Sequence, residues 1–334
     1  MGRPVVPAVR TLAVLVLVLA ACHRAPRMPV PPSWTEAAFA SKPLPAFTVD
    51  VPADGKPADV IVGEPRTYRI REGDTLLDVA RWFDLGYNEI VAANPGADPW
   101  IPPVGSEVQI PAQWILPCCD YEGIVVNIPE MRLFLYERRG TELVVRTYPV
   151  GLGRDDRRTP KGRWKVQGKT LDPRWNIPAS IREEHIRERG DARTFIPGGA
   201  PDNPLGRHRI ELTRPLYTIH GTDIPWGVGM LVSHGCVRLY PEDVAALFPL
   251  VERGMPVAFV YQTVKVAARD GEPWVEVHED VYKNGGSGSR DAIRLLQRRP
   301  LRTPVDRQML DAEMKRRTGV PVRVVGAQRG FAER

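Results

Sequence analysis

Between Gly123 and Tyr261 the chain is a succession of short, alternating apolar runs broken by proline and glycine, a pattern with no room for a bundle of long helices. Ile124–Ile128 and Met131–Glu137 flank Pro129-Glu130 and read as a hairpin. Further strands are predicted at Leu143–Val150, Arg163–Lys169, Leu216–His220 and Val257–Tyr261. Strands this short and this closely spaced specify a mainly β domain, a β-sandwich or barrel. Two stretches depart from the pattern. Asp172–Arg207 is a charged, Gly/Pro-interrupted excursion with a helix-like segment at Ser180–Arg189, which reads as a lid, a substrate wall or a plain surface loop. Pro241, Glu242 and Asp243 open a helix whose end is followed by Gly254.

The amino terminus sets the compartment. Arg3 and Arg10 precede an apolar run, Leu12–Ala21, that suits a signal-peptide core and is too short for the ~20 residues of a spanning helix. It ends in Leu19-Ala20-Ala21-Cys22, which resembles the bacterial lipoprotein box, with Cys22 as the acylated first residue of the mature chain; an ordinary signal peptide cut nearby is the alternative. Either way export to the periplasm is expected. His23 after the cysteine resembles lipoproteins of the outer rather than the inner membrane. Residues 1–22 are thus assigned as the signal and lipobox, and the proline-dense 23–65 as an extended tether. Of the later cysteines, Cys118 and Cys119 are adjacent and Cys236 stands alone, which makes no disulfide framework.

Residues 66–112 form a compact unit of strand, helix, helix and strand: Thr67–Ile70, a helical pattern through Leu77, Ala80, Trp82 and Phe83 with Asp74 as its cap, Asn88–Ala93, and Glu107–Ile110. The order, with Gly73-Asp74-Thr75-Leu76 and Asn94-Pro95 at its turns, resembles the LysM domain. That resemblance implies binding of N-acetylglucosamine-containing glycans between the two loops, at Gly73, Asp74, Thr75, Asn94 and Pro95. The same residues also serve as the caps and turns any such fold needs.

Composition is decisive mainly by exclusion. In 334 residues, 26% charged and 43% hydrophobic residues with a mean hydropathy of −0.26 exclude a multispanning membrane protein and a wholly disordered chain. The net charge of +6 is concentrated at the end, where residues 290–334 hold twelve Lys/Arg against five Asp/Glu. No zinc-finger spacing or aromatic-basic RNA motif accompanies it, so nucleic acid is not an expected partner; an anionic envelope surface explains the charge equally well. We assign 263–284 as a C-terminal β extension and 285–334, opening on Gly285-Gly286-Ser287-Gly288, as a flexible basic tail.

The chemistry is concentrated in Ile219-His220-Gly221-Thr222 and Ser233-His234-Gly235-Cys236-Val237-Arg238. A cysteine is a strong nucleophile only as thiolate, so a nearby imidazole is needed to take its proton. His220 lies sixteen residues upstream, and the glycines of the intervening loop allow the two to meet. Gly235 permits a tight turn whose N–H groups can converge on one oxygen, an arrangement worth ~2.7–4 kcal/mol per donor in known oxyanion holes. The implied reaction is acyl transfer through a thioester. A buried apolar cysteine beside a hydrogen-bonded histidine is the bland alternative. A zinc site from His220, His234 and Cys236 would lack regular spacing and need a fourth ligand.

These motifs, together with Pro201–Gly206, look like the signature of the L,D-transpeptidase catalytic (YkuD-type) domain in its ErfK/YbiS branch, over residues 123–262. The resemblance implies Cys236 as nucleophile, His220 as base oriented by the Gly221 carbonyl, and the N–H groups of Gly235 and Cys236 as oxyanion donors, with Ser233 and His234 shaping the turn. It places Arg238 against the donor carboxylate or in a structural ion pair, and Asn203 in a loop bordering the substrate. It implies a peptidoglycan tetrapeptide as donor, attacked at meso-diaminopimelate with loss of D-alanine. The acceptor is an amine: a second diaminopimelate, giving a 3→3 crosslink, or a lysine of an outer-membrane lipoprotein. Carbapenem acylation is implied as well, and no cofactor or metal. A hydrolase of the same fold, or an inactive wall-binding lipoprotein, are the competing expectations.

Overall fold

The computed structural model describes residues 30–31, 33–52, 60–118 and 120–326. The segment assigned as signal and lipobox, Cys22 included, lies outside the described residues, as does Cys119. Among the described residues seven helices run in chain order: α1 Glu36–Ala40, α2 Leu76–Trp82, α3 Tyr87–Ala93, α4 Ala179–Arg189, α5 Pro241–Leu250, α6 Ser289–Leu296 and α7 Arg307–Arg316. None of the described helices is long and apolar enough to cross a membrane.

The fold is mainly β, and its backbone is one mixed sheet of nine strands. In spatial order these are Ala46–Asp50, Glu142–Pro149, Arg132–Arg139, Gly123–Asn127, Pro256–Val260, Gly162–Leu171, His208–Leu212, Thr218–His220 and Val237–Arg238. Two neighbouring pairs are parallel, Gly123–Asn127 with Pro256–Val260 and Thr218–His220 with Val237–Arg238. The central strands are apolar at nearly every position because both faces are covered. Ile124, Val126, Leu133 and Leu135 point to a core shared with Val244 and Leu247 of α5. Val125, Phe134 and Tyr136 point the other way, to a second core shared with Leu76, Val79 and Ile90 of the small N-terminal unit.

That unit has the expected βααβ order: Arg66–Arg69 pairs antiparallel with Glu107–Ile110 around α2 and α3. Asp74 does not cap α2. Thr75 does, accepting from the Asp78 N–H, while buried Asp74 accepts from Tyr68 Oη, Trp34 Nε1 and the Arg71 N–H. Buried ion pairs hold the unit to the catalytic sheet. Arg132, fully buried, reaches both oxygens of Glu89 and the Asp84 carbonyl, and Arg81 pairs with Glu242 of α5.

Two assignments made from composition need correction. Residues 23–65 are not a free tether throughout. Trp34 stacks on Phe39 of α1, Ala46–Asp50 forms the sheet edge against Glu142–Pro149, and Ile61–Gly63 pairs with Gln113–Ile115. The prolines flank these elements instead of interrupting them, as proline does at sheet edges. Nor is 285–334 a flexible tail over its described part. Asp280 accepts from the N–H groups of Asn284, Gly285 and Gly286 and folds the glycine stretch into a turn. Ala292 and Leu296 of α6, Leu310 of α7 and Val324 then bury against the hairpin Val264–Arg269/Glu272–Val277. The abundance of arginine hid an apolar i, i+4 stripe.

Candidate active site

The parallel pairing of Thr218–His220 with Val237–Arg238 sets Ile219 beside Val237 and His220 beside Arg238. Side chains alternate along a strand, so Ile219 and Val237 enter the core while Thr218, His220, Cys236 and Arg238 share the opposite face. His220, Ser233, His234, Cys236 and Arg238 all line one cavity of about 290 Å³. A wider cleft of about 750 Å³ also includes Cys236 in its lining, together with Arg209, Tyr217 and Thr218. Trp175, Ile181, Leu205, His234 and Cys236 belong to both.

His220 is 3% exposed and its Nδ1 lies 2.7 Å from the Gly221 carbonyl. A carbonyl only accepts, so Nδ1 carries the proton and Nε2 keeps its lone pair. Burial pushes this imidazole down to about 3, with Arg238 adding to the effect and the Gly221 bond opposing it. The ring therefore rests neutral, with Nε2 unprotonated. The half-buried Cys236 thiol donates to the Leu216 carbonyl at 3.5 Å and accepts from the Thr218 hydroxyl at 3.6 Å, and makes no hydrogen bond to the His220 ring.

The turn before the nucleophile is built to one shape. Gly235 has φ +110°, and a Cβ there would sit 2.8 Å from the Tyr217 ring. The Ser233 hydroxyl donates to the Cys236 carbonyl and accepts the Gly235 N–H. That second bond removes Gly235 N–H from the expected oxyanion pair. The Cys236 N–H, by contrast, has no acceptor among the described residues. Behind the turn, Thr159 donates to the Gly235 carbonyl, and Tyr282 Oη accepts the Thr159 N–H and donates to the Gly153 carbonyl.

Against known proteins, the family model of the YkuD L,D-transpeptidase catalytic domain matches residues 122–259. Two Escherichia coli (strain K12) proteins resemble nearly the whole chain. "Probable L,D-transpeptidase ErfK/SrfK" is 36% identical over 87% of this chain and 95% of its own length, and "Probable L,D-transpeptidase YbiS" is 36% identical over 84% and 92%. This chain belongs to the L,D-transpeptidase family. A third E. coli relative, "Probable L,D-transpeptidase YcfS", is 36% identical over 66% of this chain and 69% of its own length.

Within this L,D-transpeptidase, the other residues singled out from sequence divide sharply. Arg238 lines the smaller cavity, its Nε has no hydrogen-bond partner, and burial holds its pKa below the usual guanidinium range while the Asp223 charge opposes that shift. Among the described residues no carboxylate lies at hydrogen-bond distance of this cation. Asn203 does not face substrate. It is 1% exposed, its amide donates to the Pro173 and Pro197 carbonyls, and its Oδ1 accepts the Leu205 N–H. A buried amide with every group satisfied shapes the loop, and Asp202, Pro204 and Leu205 border the cavity in its place. Gly73, Asp74, Thr75, Asn94 and Pro95 stay in the βααβ unit and line neither cavity. Asn94 bridges α3 to the closing strand through Ile90 and Gln109. His234 turns its Nε2 to Glu184 of α4 at 2.9 Å, so it makes no metal triad with His220 and Cys236. The one potential metal-ligand group among the described residues is Glu130, Glu276 and His278, already bridged by Lys265 Nζ at 2.7 Å from both carboxylates. Sequence reading passed over Thr159, Glu184, Arg154, Asp223 and Tyr282. Only Asp223, three residues after His220, lay near a recognised motif.

Proposed function

We propose that this enzyme transfers the acyl group of a peptidoglycan stem through a thioester on Cys236. The thiol proton passes to His220 Nε2 as Sγ attacks the meso-diaminopimelate carbonyl of a tetrapeptide. The protonated ring gives that proton to the departing D-alanine amine, and the donor stays on sulfur as a thioester. An acceptor amine then attacks the thioester carbonyl, losing a proton to Nε2, and the sulfur leaves to regain its proton. The observation that carries this reading is the buried imidazole, its Nδ1 held by the Gly221 carbonyl, lining one cavity together with Cys236. The Cys236 N–H is the oxyanion donor, and the uncommitted Arg238 receives a donor carboxylate.

The two cavities that Cys236 lines suit a donor and an acceptor bound in different places. Both diaminopimelate and a lipoprotein lysine supply the required amine. The βααβ unit is read as a LysM module that holds glycan, an assignment supported by exposed Trp100, Ile101 and Val104 on the loop after Asp98. With Cys22 acylated, the enzyme would work in the periplasm from a membrane, the outer one by the residue at position 23.

Incubating the purified protein with disaccharide tetrapeptide and resolving products by mass spectrometry tests the reading. Dimers or adducts to an added lysine peptide are expected, and Cys236→Ala should yield none while still binding sacculi. Trimmed stems alone would make it a hydrolase of this fold. Activity surviving in Cys236→Ala would exclude the thioester.

A further inference from the structure

Helix α4 roofs the reactive cysteine, yet none of its eleven residues is buried. Ser180 and Ile181 face the wider cleft, while Ile181, His185 and Arg189 face the smaller one. No apolar stripe fastens it to the sheet, so its attachment must come from elsewhere. Its one strong link to the catalytic turn is Glu184. One carboxylate oxygen accepts from His234 Nε2 at 2.9 Å and the other from Arg154 Nη1 at 3.0 Å. Both partners are fixed independently of α4. His234 is two residues from the nucleophile, and the Arg154 N–H donates to the Ser233 carbonyl at 2.9 Å. The His234 and Arg154 hydrogen bonds hold the Glu184 carboxyl down at about 2, so it stays ionised at any working pH. The Glu184 side chain is 18% exposed, and its partners His234 and Arg154 are 25% and 36% exposed.

A thioester on Cys236 has two fates. An amine converts it to an amide and frees the thiol; water converts it to a carboxylic acid and frees the thiol. The chemistry at sulfur is the same, so the outcome depends on which nucleophile reaches the carbonyl, and α4 stands where both would enter.

Resting on the transpeptidase reading above, we propose that Glu184 is a positioning residue that latches α4 over the acylated cysteine and so sets the ratio of amine transfer to hydrolysis. It does not touch the reacting atoms. Its removal should leave thioester formation nearly intact and admit water.

The test uses the full-length protein with disaccharide tetrapeptide and a lysine-terminated peptide as added acceptor, counting amine-transfer products against tripeptide. Glu184→Gln is expected to lower that ratio about five-fold or more, the size of losing roughly one partly screened ion pair. Glu184→Asp should recover part of it, and Glu183→Gln, on the exposed side of the same helix, should match wild type. Trypsin should cut Glu184→Gln faster than wild type at Arg182, Arg187 and Arg189. Since α4 buries nothing, thermal midpoints of the variants should agree, and Arg154→Gln offers a second way to break the latch. A Glu184→Gln enzyme whose ratio of amine-transfer product to tripeptide equals that of wild type overturns the proposal while leaving the transpeptidase reading intact. A wild type that forms neither amine adduct nor tripeptide overturns both.

Discussion

The βααβ unit and helix α4 both press on the segment that carries the catalytic pair, but they are held by opposite means. The unit docks through charge taken out of water. Arg132 and Glu89 are buried between it and the sheet, and Lys42 Nζ lies 2.9 Å from both Asp84 and Asp243. Its α2–α3 turn meets the loop between His220 and Cys236 directly, with the Tyr87 N–H donating to the Val228 carbonyl and Gly86 packed on Gly229. Helix α4 is linked to the catalytic turn through one partly exposed carboxylate. Breaking a buried pair strands a charge, whereas breaking a partly solvated one lets water take over. One contact is therefore a fixed part of the catalytic scaffold, and the other is adjustable.

The strongest way to break this contrast is Arg132→Ala. It leaves Glu89 buried without its partner, and a loss of ~3–5 kcal/mol in urea unfolding is expected. A loss under ~1 kcal/mol would put the two contacts in the same class.

Acid should separate them next. Burial pushes His278, in the Lys265–Glu276–Glu130 cluster, down to about 4, and His220 to about 3. Both folded values lie below the unfolded value of ~6.5, so the unfolded chain binds more protons through that interval and stability declines as pH falls from about 6.5 toward 4 and below. The His278 share is on the order of 3 kcal/mol. Glu184 is lowered as well, but within the carboxylate range: its contribution is full above its unfolded value of ~4.5 and is lost only as pH falls from there toward about 2. Unfolding midpoints measured from pH 7 to pH 4 should fall steeply in wild type and less in His278→Gln, while trypsin access to α4 stays unchanged down to pH 5.

A smaller effect is expected from Gly229→Ala. Its φ of +82° and a Cβ placed 2.3 Å from the Tyr87 nitrogen require the loop to shift, at ~1–3 kcal/mol and with slower acylation. The smallest belongs to Glu184→Gln, below about 1 kcal/mol in stability despite its effect on product ratio.

The same contrast explains what could be read from sequence. The strands of 123–262, the βααβ order and the His220–Cys236 pair announce themselves through local signals: period-two apolar runs, turn residues, a glycine before the nucleophile. The docking of the unit could not be read this way, because Arg81 and Glu242 are 161 residues apart and each looks like an ordinary surface charge. Glu184 finds His234 across 50 residues and sits in a helix with no apolar face to mark it. Tyr282 supports the nucleophile turn from a segment read as a mere extension. Asn203 and Asp74 failed in the reverse sense, since residues in a recognisable motif proved to be spent on internal hydrogen bonds. In the amino- and carboxy-terminal segments, proline content and charge mask the apolar side chains, such as Phe39, Leu296 and Leu310, that bury their described parts.

Intact-protein mass spectrometry within seconds of mixing enzyme and tetrapeptide tests the central claim most directly. An adduct equal to the donor less D-alanine, mapping to Cys236 and forming at least ~100-fold more slowly in His220→Gln, is the result predicted for a base acting on the thiol. An adduct on another residue, or one that forms at an undiminished rate without the imidazole, would contradict it.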